Sequence, residues 1–339
     1  MLAAVFVEPG QPLALRDLPV PDPGDGEVVL RIERCGICAT DLHLTEAGFA
    51  MPSGFIAGHE RGAVVEAVGA HVERLKVGDH VVPHSAKGCG RCDKCLAGTP
   101  FLCAQMAMNM GGFAQYMACP EAACIIMPSR MPFADSALVE PLAVGLLGIE
   151  RNPFPIGAKI AVLGAGPVGL AAIFWARRAG AGQIVVIAPS RAKEAIARAM
   201  GADHFLTTGE GLAGEVSEVL SGAPDVVLEC AGAPGAIELC VEIVKPQGSV
   251  TVYGLCTHVD HWHPATALLK EVKLQFVVST SLAQFRVAAD LLDAGAVEPR
   301  AMVTDTIALH DLPATFEAMR GGSGHRCKVL VDPWAGAGR

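Results

Sequence analysis

Cys89, Cys92, Cys95 and Cys103 form a C-x2-C-x2-C-x7-C run, the spacing of a loop wrapped around one tetrahedral metal ion. Four thiolates fill the shell of a Zn²⁺ ion and leave no position for a substrate, so this run is expected to fold a lobe and to perform no chemistry itself. Two further segments carry metal-binding side-chain types: Cys35-Gly-Ile-Cys38-Ala-Thr40-Asp41-Leu-His43 and Gly58-His59-Glu60-Arg-Gly62. Thiolate and imidazole are good zinc ligands, and a catalytic zinc takes three protein ligands while keeping one position open. A third pattern, Gly164-Ala165-Gly166-Pro167-Val168-Gly169, follows the apolar run Ile160 to Leu163 and opens a stretch rich in Ala, Ile and Leu. Between a strand and a helix, Gly164 permits a tight turn, Gly166 lets a pyrophosphate approach the backbone, and Gly169 lets helix and strand pack closely. The helix that starts at Pro167 and Val168 then offers its unpaired N–H donors to the phosphates.

Folds of this kind that prefer NAD place an acidic residue about 20 positions further on, where it binds the ribose 2′-hydroxyl. Here that stretch reads Ile187-Ala188-Pro189-Ser190-Arg191, with no carboxylate. Ser190, Arg191 and Lys193 instead offer donors and positive charge where a 2′-phosphate would sit, which favours NADP(H) over NAD(H).

These motifs need elements to hold them. The 339 residues exceed the roughly 250 to 300 at which a single core stops growing, so about two domains are expected. A hydrophobic content of 51% with 18% charge is ample for large cores, and 26 basic against 35 acidic residues give a net charge of −9. No Lys/Arg-rich run is present, which argues against nucleic acid or an anionic membrane as partner. The opening MLAAVFVEPG has neither the basic flank nor the sustained apolar segment of a secretory signal, and no stretch is apolar for long enough to span a bilayer. With 12 cysteines and no export signal, the expected compartment is the reducing cytoplasm. The first 130 or so residues are β-rich, with Val/Ile runs at Glu27 to Ile32, Gly62 to Val68 and Asp79 to Val82, and predict a partly open barrel. From about Lys159 strands alternate with helical segments, the rhythm of βαβ units in a parallel sheet. An amphipathic helix, LAQFRVAADLLDAG, and a strand, KVLVDP, close the chain.

Taken together and in order, these segments resemble the zinc-dependent medium-chain alcohol dehydrogenase family over essentially the full length. The resemblance implies an α/β protein, with a GroES-like partly open β-barrel catalytic domain and a Rossmann domain holding a doubly wound parallel sheet. The expected limits are 1–145 with a zinc lobe at 88–104, then 146–282 for the Rossmann domain, then 283–339 returning to the catalytic domain, with the active site in the cleft between them. It implies Cys38 and His59 as catalytic zinc ligands, with Cys35 structural. Glu140, which opens a Glu140-Pro141-Leu142 step, is the implied third ligand, directly or through water, as in the sorbitol- and threonine-dehydrogenase-like branch. Glu60 sits beside the metal as a transient ligand, and Asp41 orients His59. Two zinc ions per chain follow, one catalytic and one structural. Hydride passes from an alcohol to the nicotinamide C4, and the proton leaves through Thr40 and the coenzyme ribose to His43. A homo-oligomer is implied, a tetramer ahead of a dimer.

For the substrate, the expectation is a hydrophobic secondary alcohol, cyclic ones included, and its ketone, with a polyol as the alternative. The polyol branch holds substrate hydroxyls with an arginine soon after the last coenzyme-domain strand, and the segment Gln275-Phe276-Val277-Val278 offers an aliphatic residue there. Phe49, Met51, Met106, Met108 and Met110 are expected to border an apolar pocket. His258, His261 and His263 read as surface residues, and Cys119, Cys124, Cys230, Cys240, Cys256 and Cys327 as buried small apolar ones.

Overall fold

The computed structural model describes residues 1–49, 51–128, 130–322 and 324–336. The chain forms two compact units. One holds Met1–Ala143, Ser279–Ala296 and the chain from Val303 onward; the other holds Val144–Val278 and the short excursion Val297–Met302.

The first unit begins with an antiparallel pair, β1 (Leu2–Val5) and β2 (Ala14–Asp17). Its main sheet starts with the long β3 (Glu27–Gly36), after which one turn-and-a-half of helix, α1 (Ala39–Leu44), leads to β4 (Glu60–Val68) and β5 (His80–Pro83). The cysteine lobe follows, framed by the two-residue pair β6 (Ala86–Lys87) and β7 (Ala107–Met108) around a single helical turn, α2 (Asp93–Leu96). Then come β8 (Tyr116–Pro120), β9 (Cys124–Ile126), α3 (Phe133–Ser136) and α4 (Val139–Arg151), which carries the chain out of this unit. Alternation explains β3 and β4: Val28, Leu30, Ile32, Ala63 and Val65 are buried in the main cluster with Phe113 and Phe316.

The second unit is a six-stranded parallel sheet. Its elements run β10 (Lys159–Leu163), α5 (Pro167–Arg178), β11 (Gln183–Ala188), α6 (Glu194–Ala199), β12 (His204–Thr207), α7 (Leu212–Val219), β13 (Val226–Glu229), α8 (Ala236–Ile243), β14 (Ser249–Val252), α9 (Pro264–Leu269) and β15 (Lys273–Phe276). The strand order β12-β11-β10-β13-β14-β15 is that of a doubly wound dinucleotide fold. The central strands read as continuous apolar runs because helices cover both faces: Ile160 to Leu163 and Ile184 to Ile187 are all buried.

The chain then returns to the first unit with α10 (Leu282–Asp293), β16 (Val303–Ala308), α11 (Leu312–Arg320) and β17 (Lys328–Asp332). The first unit's sheet has seven strands in the order β16-β17-β3-β4-β5-β9, with β8 also on β3. The last strand therefore pairs with the third, Leu330 against Gly36 and Val331 against Cys35. Among the described residues no helix is long and apolar enough to cross a membrane.

Two of the six cysteines expected in the interior differ: Cys119, Cys124, Cys240 and Cys327 are buried, whereas Cys230 and Cys256 are only partly covered because they sit in loops just beyond strand ends.

The glycine turn after β10 separates structural from ligand-related demands. At Gly164, with φ +110°, a Cβ would come 2.9 Å from the Cys230 backbone, and at Gly169 it would overlap the Gly164 carbonyl; at Gly166 it would meet nothing within 4 Å. Gly169→Ala should lower stability by about 1–3 kcal/mol through overpacking. Gly166→Ala should leave the melting temperature unchanged yet weaken coenzyme binding by tenfold or more. Equal losses of stability in the two variants, by thermal melts, would refute this division.

Candidate metal and active site

Asp41, fully buried on α1, organises one centre. Its Oδ2 accepts from the Cys38 N–H at 3.0 Å, and its Oδ1 accepts from the Gly58 N–H at 2.9 Å and meets His59 Nδ1 at 3.0 Å. One carboxylate thus caps α1, fixes the loop before β4 and orients an imidazole, leaving Nε2 as the ring nitrogen able to ligate. Gly58 must be glycine, since its φ is +90° and a Cβ would lie 2.8 Å from Phe113. Burial opposes the charged His59 ring, but Asp41 and the Cys38 sulfur outweigh it and hold its pKa well above the usual value. Burial likewise opposes the Asp41 charge, and His59 overcomes it, keeping Asp41 acidic.

Ligand atoms of Cys38, His59 and Glu60 lie within 4.8 Å of one another. Glu60, at the start of β4, accepts at Oε1 from Lys328 Nζ at 2.5 Å; that ammonium also donates to the Ile37 carbonyl at 3.1 Å. Glu60 Oε2 is buried without a hydrogen-bond partner. Gly36, lacking a Cβ, leaves it room. Lys328 is completely buried; desolvation works against its charge, and Glu60 with Cys38 reverses that and raises its pKa. Glu140, buried near the start of α4, is not one of the converging three, but it interacts electrostatically with both His59 and Glu60; burial pushes its carboxyl up to about 7. A thiolate, an imidazole and a carboxylate with an orphaned oxygen suit Zn²⁺.

Thr40 places its Oγ1 3.7 Å from Cys38 Sγ. His43, one helical step further, is partly exposed and lies 3.4 Å from Glu46, which in turn faces Arg320 at 3.6 Å. Glu46 and Lys328 were not singled out from sequence. The helical i,i+3 spacing from His43 could have flagged Glu46, whereas nothing local marks Lys328.

In the cysteine lobe, Cys92 and Cys95 sulfurs lie 3.6 Å apart and Cys89 and Cys95 4.0 Å apart. A tetrahedral zinc with Zn–S near 2.3 Å requires about 3.8 Å between sulfurs, so the four residues fit. Backbone N–H groups of Arg91 and Cys92 hold the Cys89 thiol down at about 6, while desolvation pushes Cys95 up to about 12.

In the Rossmann unit, Arg191 lies in the turn between β11 and α6, where it forks onto Glu194 (Nε to Oε2 2.7 Å, Nη2 to Oε1 2.8 Å). Ser190 precedes that turn and makes no capping bond, and Lys193 closes it. The expected methionine pocket divides. Met108 and Met110 line a cavity of about 350 Å³ with Met1, Phe55, Ile56 and Tyr116, and Met51 packs on the core of the first unit. None of Cys38, Thr40, His43, His59, Glu60 or Glu140 lines that cavity, and Met106 is exposed. The methionines therefore say nothing about the substrate of the metal centre. His263 pairs with Glu238 at 2.9 Å on the surface.

Residues 24–129 match the alcohol dehydrogenase GroES-like domain, and residues 167–294 match the zinc-binding dehydrogenase domain. The sorbitol dehydrogenase of Homo sapiens is 30% identical over 98% of this chain and 96% of its own length. A zinc-binding dehydrogenase of Sinorhizobium meliloti 1021, solved with NADP bound, superposes with a TM-score of 0.88 at 28% identity, covering 98% of this chain and 99% of that one. Galactitol-1-phosphate dehydrogenase of Escherichia coli gives 0.88 at 26% identity, covering 98% and 100%.

Lys328→Met should cost about 3–5 kcal/mol, because it leaves the Glu60 carboxylate buried without its cation. A denaturation midpoint equal to wild type would show the pair to be idle. A second outcome concerns pH. In metal-free protein the folded state keeps the Glu140 proton to about 7, whereas the unfolded chain releases it near 4.5. Native protein then binds more protons, so this group's contribution to stability falls as pH rises through that window. Glu140→Gln should flatten the fall, read as urea midpoints with chelator present; parallel pH profiles would refute it.

Proposed function

The chain belongs to the zinc-dependent medium-chain alcohol dehydrogenase family, on its sorbitol-dehydrogenase-like branch, and from that footing we propose that it converts a secondary alcohol to its ketone with NADP⁺ as preferred oxidant. The carrying observation is the convergence of partly covered Cys38 with buried His59 and Glu60 beside Thr40. A zinc ion there would supply Lewis acidity that lowers the pKa of an alcohol hydroxyl, and the nicotinamide would supply the redox chemistry. Cys38 and His59 would hold the metal together with one carboxylate, Glu60 or Glu140, the other acting through water or by exchange, which leaves a position open for the alcohol. Thr40 Oγ would take the hydroxyl proton and partly exposed His43 would pass it to solvent, with the coenzyme ribose linking the two when it is bound. Cys89, Cys92, Cys95 and Cys103 hold a second, structural zinc.

The preference for NADP rests on the missing carboxylate after β11, on Ser190, Arg191 and Lys193, and on NADP in the Sinorhizobium meliloti neighbour. Gly164, Gly166 and Gly169, with the helix opening at Pro167 and Val168, receive the pyrophosphate. For the substrate, aliphatic Val277 favours a lipophilic alcohol, while the sorbitol dehydrogenase relatives favour a polyol. A cytoplasmic site of action suits two thiolate sets that need reduced cysteine. Leu268, Leu269, Phe276 and Val278 stand exposed around the sheet's open edge at β15, which supports a homo-oligomer, a tetramer ahead of a dimer.

The test is the initial rate of coenzyme reduction for lipophilic secondary alcohols and polyols, with NADP⁺ and NAD⁺ in parallel. Metal analysis of the same preparations should give about two zinc ions per chain, falling to one in Cys38→Ala, and light scattering gives the mass. Turnover of lipophilic alcohols with NADP⁺ is expected. Polyol turnover with NAD⁺ would overturn the substrate and coenzyme readings, and an active zinc-free chain would overturn the site.

A further inference from the structure

Glu194 stands against the residue that the coenzyme reading depends on. Besides the fork from Arg191, its Oε1 accepts from Arg198 Nε at 3.1 Å and Nη2 at 2.9 Å. One carboxylate therefore receives four hydrogen bonds from two guanidinium groups at the N-terminus of α6, and they hold its pKa below the ordinary value. Isolated surface ion pairs contribute little, but bidentate geometry and shared partners fix a side chain far better than a single contact.

The fork uses Nε and Nη2, one edge of the Arg191 plane; Nη1 donates to the Phe205 carbonyl at 3.4 Å, and the guanidinium carbon lies 5.8 Å from the Phe205 ring centre. A guanidinium has five N–H donors. Three are committed here, leaving two, one on each terminal nitrogen, to donate to phosphate oxygens. Arg191 is more than half exposed and would otherwise sample many rotamers. The trio of Arg191, Glu194 and Arg198 keeps a net charge of +1, so the carboxylate orients the arginine without cancelling the local field.

We propose that Glu194 is a specificity-determining positioning residue: by holding one edge of Arg191 it presents the other to the 2′-phosphate of NADP(H), so that the pair, and not the arginine alone, discriminates between the two coenzymes. This rests on the NADP reading above. A simple repulsive role predicts the opposite sign, with NADPH binding strengthened when Glu194 is removed.

The experiment measures dissociation constants for NADPH and NADH, by nicotinamide fluorescence, on the zinc-loaded full chain as wild type, Glu194→Ala, Glu194→Gln, Arg191→Ala and the Arg191→Ala/Glu194→Ala double variant. Removing Glu194 should weaken NADPH roughly 5-fold and leave NADH unchanged, the unchanged NADH constant also showing that the fold is intact. In the Arg191→Ala background the further loss of Glu194 should change nothing. Unchanged or tighter NADPH binding in both Glu194 variants, or an effect that persists without Arg191, would overturn the proposal while leaving the coenzyme reading intact. Arg191→Ala that leaves the NADPH constant untouched would overturn the coenzyme reading, and the proposal with it.

Discussion

The metal centre depends on one buried carboxylate. Asp41 spends its two oxygens on the Cys38 N–H, the Gly58 N–H and the His59 ring. These three groups belong to segments that sequence keeps apart: the turn into α1 and the loop before β4. A fully buried carboxylate with fewer partners would be costly. Here hydrogen bonds and a facing imidazole keep it ionised, and the same bonds set the distance between thiolate and imidazole. Removing the carboxylate would loosen a helix cap, a loop and a ligand together, so the local structure and the chemistry are not separable at this point.

Around that hub the charged groups are mostly buried. Lys328 pairs with Glu60 and His59 with Asp41, while Glu140 and the Cys38 sulfur lie close enough to interact with them. Burial is the main cause of the raised Glu140 pKa, with Glu60 and Asp41 adding to it against His59 and Lys328. A divalent cation would compete with the proton for the ligating groups.

Much of this was legible in the sequence because the informative features are local. Two C-x2-C steps, a glycine turn after an apolar strand, and alternating or continuous apolar runs each carry their meaning within a dozen residues; strands expected at Glu27, Gly62 and Asp79 form at Glu27–Gly36, Glu60–Val68 and His80–Pro83. Lys328 was not legible, since it reaches Glu60 across 268 residues through a strand pairing that no local pattern reveals. Met108 and Met110 misled for a related reason. Proximity in sequence to the cysteine lobe does not say which way a side chain faces, and both line a cavity with Met1 and Phe55 instead.

The pairing of β17 with β3 also bears on biosynthesis. A polypeptide leaves the ribosome from its N-terminus, so Cys38, His59 and Glu60 all emerge hundreds of residues before the ammonium that will neutralise Glu60. During that interval the nascent first unit lacks both an interior strand of its sheet and the cation that pairs with buried Glu60. Its final compact state must await a segment translated only after the parallel sheet of the second unit is complete. Vectorial synthesis therefore gives the coenzyme-binding half a head start, and leaves the metal-binding half as the stage at which a stalled or clipped chain would remain open to chaperones and proteases.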